Sequence, residues 1–398
     1  MRKALDFIRV IPSHFRRGKH CVVIEETGCP PRQTGLPAQA GGINVTETYI
    51  ADSDGSVKFI NVLHGDTVGD FKRPLFKADF LVLAMNGKNA TTVQNTARVS
   101  RADKTRPINT EEYEEILFRA LSEFFNTYRA FSAKKMSIPE SRTVLFDASV
   151  SEMAVDGRKV VDLTDISGKE ISVRLRGTFM SEEKAREANR LASWANKVFP
   201  VEANGALAVF ISGKKDTALF CEESSTSAFN ATSDRVVYEG EADWKISSVT
   251  EGIKKALAIS DNDAIAVLNR FANAEMSKQM SNFIDGIFEK YMAPFVKSVG
   301  DSIKKHGRMN APVMHLVFSI PVREGLGWLK HSNYFRINSL EEKLNASGFR
   351  IVIPEKQAKN IKSKNISVRT AALAVYPFAF PRNENADKIL YKRAKWFM

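Results

Sequence analysis

Apolar residues recur along this chain at two spacings, and the spacings divide it into elements. Short apolar runs rich in β-branched residues predict strands over 21–25, 43–51, 57–63 and 80–85. Asp52, Ser53, Asp54 and Gly55 form the turn between the second and third of these, and the Gly- and Pro-rich stretch 28–42 reads as a loop. The first three strands therefore make a meander. Ahead of it Ala4, Leu5, Ile8 and Ile11 share one face of a short amphipathic helix that Pro12 ends. Between residues 86 and 180 the texture changes. A helix begins at Thr110, its expected N-cap, with Ile116, Leu117, Ala120, Leu121 and Phe124 on its apolar face. Strands follow over 142–146, 149–155 and 171–178, with Asp156 and Gly157 as a turn. That is a small α+β unit.

The second half opens with a predicted helix over 182–198 and a strand or short buried helix over 206–211. Apolar Ala218, Leu219, Phe220 and Cys221 then run into a polar stretch, 222–227. A second strand-like run, the segment 235–240 and a helix over 246–257 come next. Ser260 begins a long helical region in which Met276, Met280, Phe283, Ile284, Ile287 and Phe288 keep helical spacing, and Pro294 should break or kink it. A buried-type strand is predicted over 313–320. Ser339 and Glu342 form a capping box for a helix ending near Gly348, and 349–353 is a last strand. The stretch 370–380 stays open between helix and strand, because periodicity alone does not separate the two.

Composition bounds the function. The chain has 398 residues, 43% of them hydrophobic, which favours two or more packed units. Its net charge of +12 suits nucleic acid, anionic lipid or an acidic protein patch without choosing among them. Cys21, Cys29 and Cys221 form no CxxC pair, and the six histidines show no metal-ligand spacing. No apolar run reaches the roughly 20 residues of a transmembrane helix. The first residues lack the h-region of a signal peptide, so the expected compartment is the cytoplasm. GxSxG, P-loop and GxGxxG motifs are all missing.

Three segments carry a resemblance. The first is Val22-Val23-Ile24-Glu25-Glu26-Thr27-Gly28; the second is the hairpin at Leu219; the third runs from Leu316 to Leu326. In this order they resemble the phosphate loops of the bacterial actin-like family that includes the division protein FtsA and the pilus-assembly protein PilM. Each loop departs from the family pattern. Glu25 stands where an Asp precedes a Gly-Thr turn. Phe220 stands in place of an acid, and Glu222 and Glu223 in place of two glycines. Phe318, Ser319 and Ile320 replace three glycines, while Gly325 remains.

The resemblance implies an α/β fold, an actin-like (ribonuclease-H-like) two-lobe architecture with an inserted small α+β subdomain. The first lobe would comprise 19–85 and 181–215, the insert 86–180, and the second lobe 216–382 with a helical subdomain near 260–305. Residues 1–18 would be the N-terminal amphipathic helix and 383–398 a basic C-terminal segment. The same resemblance places a degenerate nucleotide cleft at Glu25, Thr27, Gly28, Ser224, Ser225, Thr226, Gly240, Ser319 and Gly325. The family's cofactors are ATP and Mg, and the lost glycines argue against both. Glycines let backbone N–H groups approach phosphates, whereas a glutamate brings bulk and like charge. Two unit charges about 4 Å apart repel by about 4 kcal/mol at an effective dielectric of 20. Neither catalytic nor metal-binding residues are expected.

The ends offer surfaces. On a helical wheel Leu390, Tyr391 and Phe397 share a side, Lys392 and Lys395 lie opposite, and Trp396 flanks the lysines. That describes an interfacial membrane helix, as FtsA-like proteins carry at their C-terminus; packing on the body through Leu390 and Phe397 is the alternative. The N-terminal helix, with Arg2, Lys3, Arg9, Arg16 and Arg17, could touch a membrane, a partner or the first lobe. Lys356, Lys359, Lys362 and Lys364 lack interleaved aromatics and read as a solvated surface, with no specific nucleic acid expected. The resulting expectation is a non-catalytic actin-like scaffold at the inner face of the cell membrane. It would recruit division or pilus machinery, touch anionic lipid and self-associate. A divergent ATP-binding ATPase and a basic nucleic-acid-binding protein are the alternatives.

Overall fold

The central strands of the first sheet send alternate residues to two different cores, and that alternation lays out the molecule. The structure, a computed structural model, describes residues 18–27, 42–51, 54–65, 77–211, 215–222, 226–232, 236–242, 244–272, 275–305, 314–318, 335–337, 339–353, 364–379 and 383–394. In β1 (Gly18–Thr27), Cys21 and Val23 point to one core, while Val22 and Ile24 point to another. β1 pairs antiparallel with β2 (Gly42–Ala51), and β2 pairs with β3 (Ser56–Gly65). On its other side β1 pairs parallel with β4 (Ala78–Met85).

The insert follows. β5 (Ala90–Ser100), α1 (Thr110–Met136), β6 (Thr143–Val155), β7 (Arg158–Val160) and β8 (Glu170–Ser181) enclose a core of their own around Phe124 and Phe179. The N-cap of α1 is Asn109, whose side chain accepts from the Glu112 N–H at 2.8 Å, one residue ahead of the expected Thr110. The two strands predicted over 142–155 are one strand, β6, with register shifts at Leu145/Asp147 and Val150/Glu152.

After α2 (Glu182–Leu191) the predicted helix stops, and residues up to Val198 belong to β9 (Ala195–Glu202). Pairing explains the change: β9 joins the edge of the first sheet parallel to β4, a position that tolerates Pro200. Then come α3 (Ala203–Ile211), β10 (Lys215–Cys221), β11 (Thr226–Thr232), β12 (Val236–Ala242), α4 (Ser247–Leu257), α5 (Asp261–Ala272) and α6 (Lys278–Lys305). α6 runs on through Pro294 without ending there. β13 (Met314–Phe318), β14 (Phe335–Ile337), α7 (Ser339–Ala346), β15 (Arg350–Val352), α8 (Lys364–Ala379) and α9 (Glu384–Ala394) complete the order.

Two sheets result, β15-β3-β2-β1-β4-β9 and β14-β13-β10-β11-β12-β5-β8-β6-β7. One plan is used twice. In each lobe the first strand pairs antiparallel with the second, the third flanks the second, and two parallel strands lie on the other side. The insert continues the second sheet through one residue pair, Val236 with Gln94.

The helices α3 and α8 lie between the sheets. The core that holds Cys21 and Val23 of β1 also holds Ala218 and Phe220 of β10, with Ala206–Ile211 and Ala371–Tyr376 among them. Every residue of α3 is buried. The far face of the second sheet, with Leu219, Cys221 and Phe318, is covered by α4, α5 and α6.

Two pieces of the range expected for the second lobe join the first instead. β15 pairs parallel with β3, and α8 packs on the first sheet through the shared core. α8 has no polar face to turn to water over Ala371–Tyr376, so it needs apolar surface on every side. The C-terminal reading is corrected at Leu390. This residue is fully buried in the insert's core, beside Ala386. α9 also closes part of the β6 edge: the Val150 N–H donates to Asp387 Oδ1 at 2.8 Å, and the Asn383 N–H donates to the Val150 carbonyl at 3.0 Å. Lys395, Trp396 and Phe397, and the N-terminal helix, lie outside the described residues, and the side chains of Tyr391 and Lys392 do too. Among the described residues no helix is long and apolar enough to cross a membrane.

Phe220→Ala should cost about 3–5 kcal/mol, the range for a buried aromatic truncated to alanine, and urea unfolding monitored by circular dichroism measures it. A second expectation concerns the insert. Arg101 Nε and Nη2 donate to both Glu112 carboxylate oxygens at 2.6 and 2.8 Å, which holds the Glu112 carboxyl below its usual range. A depressed carboxyl stabilises the fold above its unfolded pKa and loses that contribution as pH falls through its folded value. Stability of Glu112→Gln should therefore fall less steeply on acidification below 4.5, the ordinary glutamate pKa, than that of the natural chain, read as Tm against pH.

Candidate functional site

In an open α/β sheet ligands bind in the crevice outside the carboxyl ends of the parallel strands. In this chain those ends carry acids. Glu25 lies near the end of β1, Glu202 ends β9, and Glu222 follows β10. Both Glu25 and Glu222 lie toward the carboxyl end of the first strand of the repeated plan, β1 in one lobe and β10 in the other.

Arg369, from α8, joins them. Its Nε donates to Glu25 Oε1 at 2.6 Å, and its Nη2 lies 3.7 Å from Glu222 Oε1. The side chains of Arg369 and Glu25 are only 13% and 7% exposed. Glu222 Oε1 also accepts from Asn204 Nδ2 at 3.1 Å, and the same amide reaches Ser227 Oγ at 3.1 Å. Burial lowers the Arg369 pKa, but the charges of Glu25 and Glu222 more than offset it and the net direction is upward. The guanidinium therefore stays charged. One cation between two carboxylates leaves the cluster with a net charge of −1 if all three groups are ionised.

A second buried pair lies where the insert meets both lobes. Lys135, in the last turn of α1, forms an ion pair with Glu202 of β9. Glu202 Oε2 accepts from the Thr92 N–H at 3.2 Å, and the Glu202 N–H donates to Thr92 Oγ1 at 2.7 Å. The Lys135 ammonium also lies over two rings of the second lobe, 5.1 Å from the Phe229 centroid and 4.2 Å from that of Tyr238. Glycines make room for this carboxylate: a Cβ on Gly87 would come within 3.2 Å of Glu202, and one on Gly205 within 3.1 Å. Burial pushes the Glu202 carboxyl up and the Lys135 ammonium down, and each is opposed by the other's charge. On the opposite face of β1, Glu26 ties the insert's entry to α2. It accepts from the Asn86 N–H at 3.1 Å, Asn89 Nδ2 at 2.7 Å and Lys184 Nζ at 3.0 Å.

The residues expected from sequence divide into three groups. Glu25 belongs to the Arg369 cluster. Thr226 is fully buried at the start of β11, where it pairs with Cys221. Gly240 lies within β12 opposite Ala228, beside a register shift, with φ +150°. Its backbone there suits glycine, and it forms part of a strand and not of a loop. Thr27 ends β1 opposite Gly42, and its side chain lies outside the described set. Gly28, Ser224, Ser225, Ser319 and Gly325 are outside the described residues. The two aromatic replacements are core residues. Phe220 packs edge-on against Phe229 with centroids 5.6 Å apart, and Phe318 meets Trp244.

Sequence reading missed Arg369, Asn204, Glu202 and Lys135. Two of them carried a signal. Arg369 is the one charged residue between Ile366 and Phe380, and Glu202 the one between Val198 and Ile211. A lone charge inside a buried apolar run needs a partner.

The strand order settles the architecture. The fold is actin-like. No family model matches the sequence, and no curated protein matches it. Solved structures do. The PilM–PilN type IV pilus biogenesis complex aligns over 89% of this chain and 98% of its own, at 10% identity and a TM-score of 0.48. The cytoplasmic domain of EpsL from the type II secretion system of Vibrio cholerae aligns over 89% and 94%, at 7% identity and a TM-score of 0.30. MreB5 of Spiroplasma citri bound to AMPPNP aligns over 96% and 99%, at 8% identity and a TM-score of 0.30. The repeated strand order carries the fold.

Arg369→Met should leave Glu25 buried without a counter-charge and cost about 3–5 kcal/mol. Adding Glu25→Gln to that variant should recover part of the loss. A double-mutant cycle in urea measures the coupling, and strict additivity would show that the contact contributes nothing.

Proposed function

We propose that this chain is a non-catalytic actin-like scaffold whose interlobe crevice holds its own ions in place of a nucleotide. The observation that supports this reading is Arg369 held between Glu25 and Glu222. A triphosphate entering there would meet two carboxylates whose shared cation, Arg369, is already engaged. At about 4 Å each carboxylate would oppose a phosphate charge by about 4 kcal/mol at an effective dielectric of 20. Phe220 adds to the argument, since the position that the family gives to an acid faces the shared apolar core. Nothing in that position can hold a metal-bound water or accept a proton.

A scaffold works through surfaces. The partner we propose is a component of a pilus, secretion or division apparatus, the context that the sequence resemblance suggests and that the PilM–PilN and EpsL structures name for themselves. Recruitment to the membrane face would run through that partner more than through α9, because Leu390 and Ala386 are already committed to the insert's core.

Isothermal titration with ATP·Mg tests the reading. The expected result is no saturable heat at the highest nucleotide concentration. Micromolar affinity, or turnover above a buffer control, would overturn it in favour of a divergent ATPase.

A further inference from the structure

Two actin-like lobes that face each other across a crevice need something to fix the angle between them. The layer of α3 and α8 joins them at one level. Beyond that layer, two buried cations each contact more than one body. Arg369 reaches Glu25 of the first lobe and Glu222 of the second. Lys135 belongs to the insert, pairs with Glu202 of the first lobe, and covers Phe229 and Tyr238 of the second. The side chain of Lys135 is 6% exposed and that of Glu202 is 1% exposed. The strand pairing between the insert and the second sheet is thin by comparison, a single residue pair at Val236 and Gln94.

We propose that Arg369 and Lys135 act as an internal lock that holds the two lobes and the insert in one arrangement without any ligand between them. This rests on the scaffold reading and adds how its shape is kept. Each lysine or arginine does a job that is directional. Arg369 fixes lobe against lobe, since its two acids come from the two halves of the repeat. Lys135 fixes the insert, since the rings under its ammonium lie on β11 and β12 while its carboxylate lies on β9. Rotation of the insert away from β12 would take a buried ammonium off two aromatic faces. It would also leave Glu202 buried beneath Gly87 and Gly205 without its counter-charge. Such a locked arrangement suits a scaffold that presents one constant surface.

Double electron–electron resonance tests it on the full chain with Cys29→Ser, with Cys21 and Cys221 left buried. Spin labels go on exposed Glu183 of α2, Glu251 of α4 and Glu123 of α1, taken in pairs. The natural chain should give narrow distance distributions that saturating ATP·Mg leaves unchanged. Arg369→Met with Glu25→Gln should widen the distance between Glu183 and Glu251. Lys135→Met with Glu202→Gln should widen the distance between Glu123 and Glu251. Both pairs remove the cation together with its buried acid; Glu222, a third exposed, loses Arg369 but keeps the Asn204 amide. Arg369→Lys is the milder variant: it keeps the charge but cannot span both acids, and it too should widen the lobe-to-lobe distribution. Distributions as narrow as the natural one in these variants would overturn the lock and leave the scaffold reading standing. A natural chain whose distances shift with ATP·Mg would overturn both.

Discussion

The fold depends on burying two helices that have no polar side. α3 and the Ala371–Tyr376 stretch of α8 are covered all round, so each requires apolar surface above and below. A single twisted sheet offers one such face to a helix layer. Two sheets facing each other offer both, and alternation along β1 and β10 supplies them: Cys21 and Val23 from one, Ala218 and Phe220 from the other. At about 25 cal/mol per Å² of apolar area, that shared layer is the main term opposing separation of the lobes. It also explains why the chain returns at its end to the lobe where it began. α8 cannot be left on the second lobe's outer surface, because that face is already covered by α4, α5 and α6.

The same requirement set what could be read in advance. The meander of β1, β2 and β3 was legible because short apolar runs rich in β-branched residues are separated by turn and loop residues, and the α+β insert was legible because α1 shows a clean apolar face. The helices between the sheets were not. A segment buried on every side carries no periodicity, so 206–211 and 370–380 offered no way to separate helix from strand. β9 was misread as the tail of a helix because the charged run 182–190 leads into it without a turn signal; only pairing with β4 makes it a strand. For the crevice, Glu25 and Glu222 were visible as loop positions by resemblance. Their partner was not, since Arg369 lies 344 residues from Glu25 and no local pattern joins them.

Buried ion pairs are usually poor sources of net stability, because desolvating two charges offsets most of their attraction. That makes their position informative. Apolar residues of similar volume could fill the places of Arg369 and Glu25, or of Lys135 and Glu202, at little cost to folding. What apolar residues cannot do is fix a direction between separate bodies, since apolar contact tolerates sliding and a hydrogen-bonded charge does not. Lys135 and Glu202 join the insert to the first lobe, and Arg369, hydrogen-bonded to Glu25 within the first lobe, reaches Glu222 of the second at 3.7 Å; that placement assigns them to geometry more than to stability.

The two ends of the chain then take different roles. α9 spends Ala386 and Leu390 on the insert's core, and Asp387 on the β6 edge, so this helix behaves as a sixth element of the insert and not as a free tether. Its coverage matters, because an open strand edge is a template for pairing with any extended chain. A carboxylate that accepts the Val150 N–H satisfies one edge group without offering a further strand, and a backbone N–H at Asn383 satisfies the carbonyl of the same residue. The insert is thereby closed along the part of β6 that β7 leaves uncovered near Val150. A surface that must present one shape to a partner gains from such closure, since the alternative pairing it blocks would compete for the same sheet.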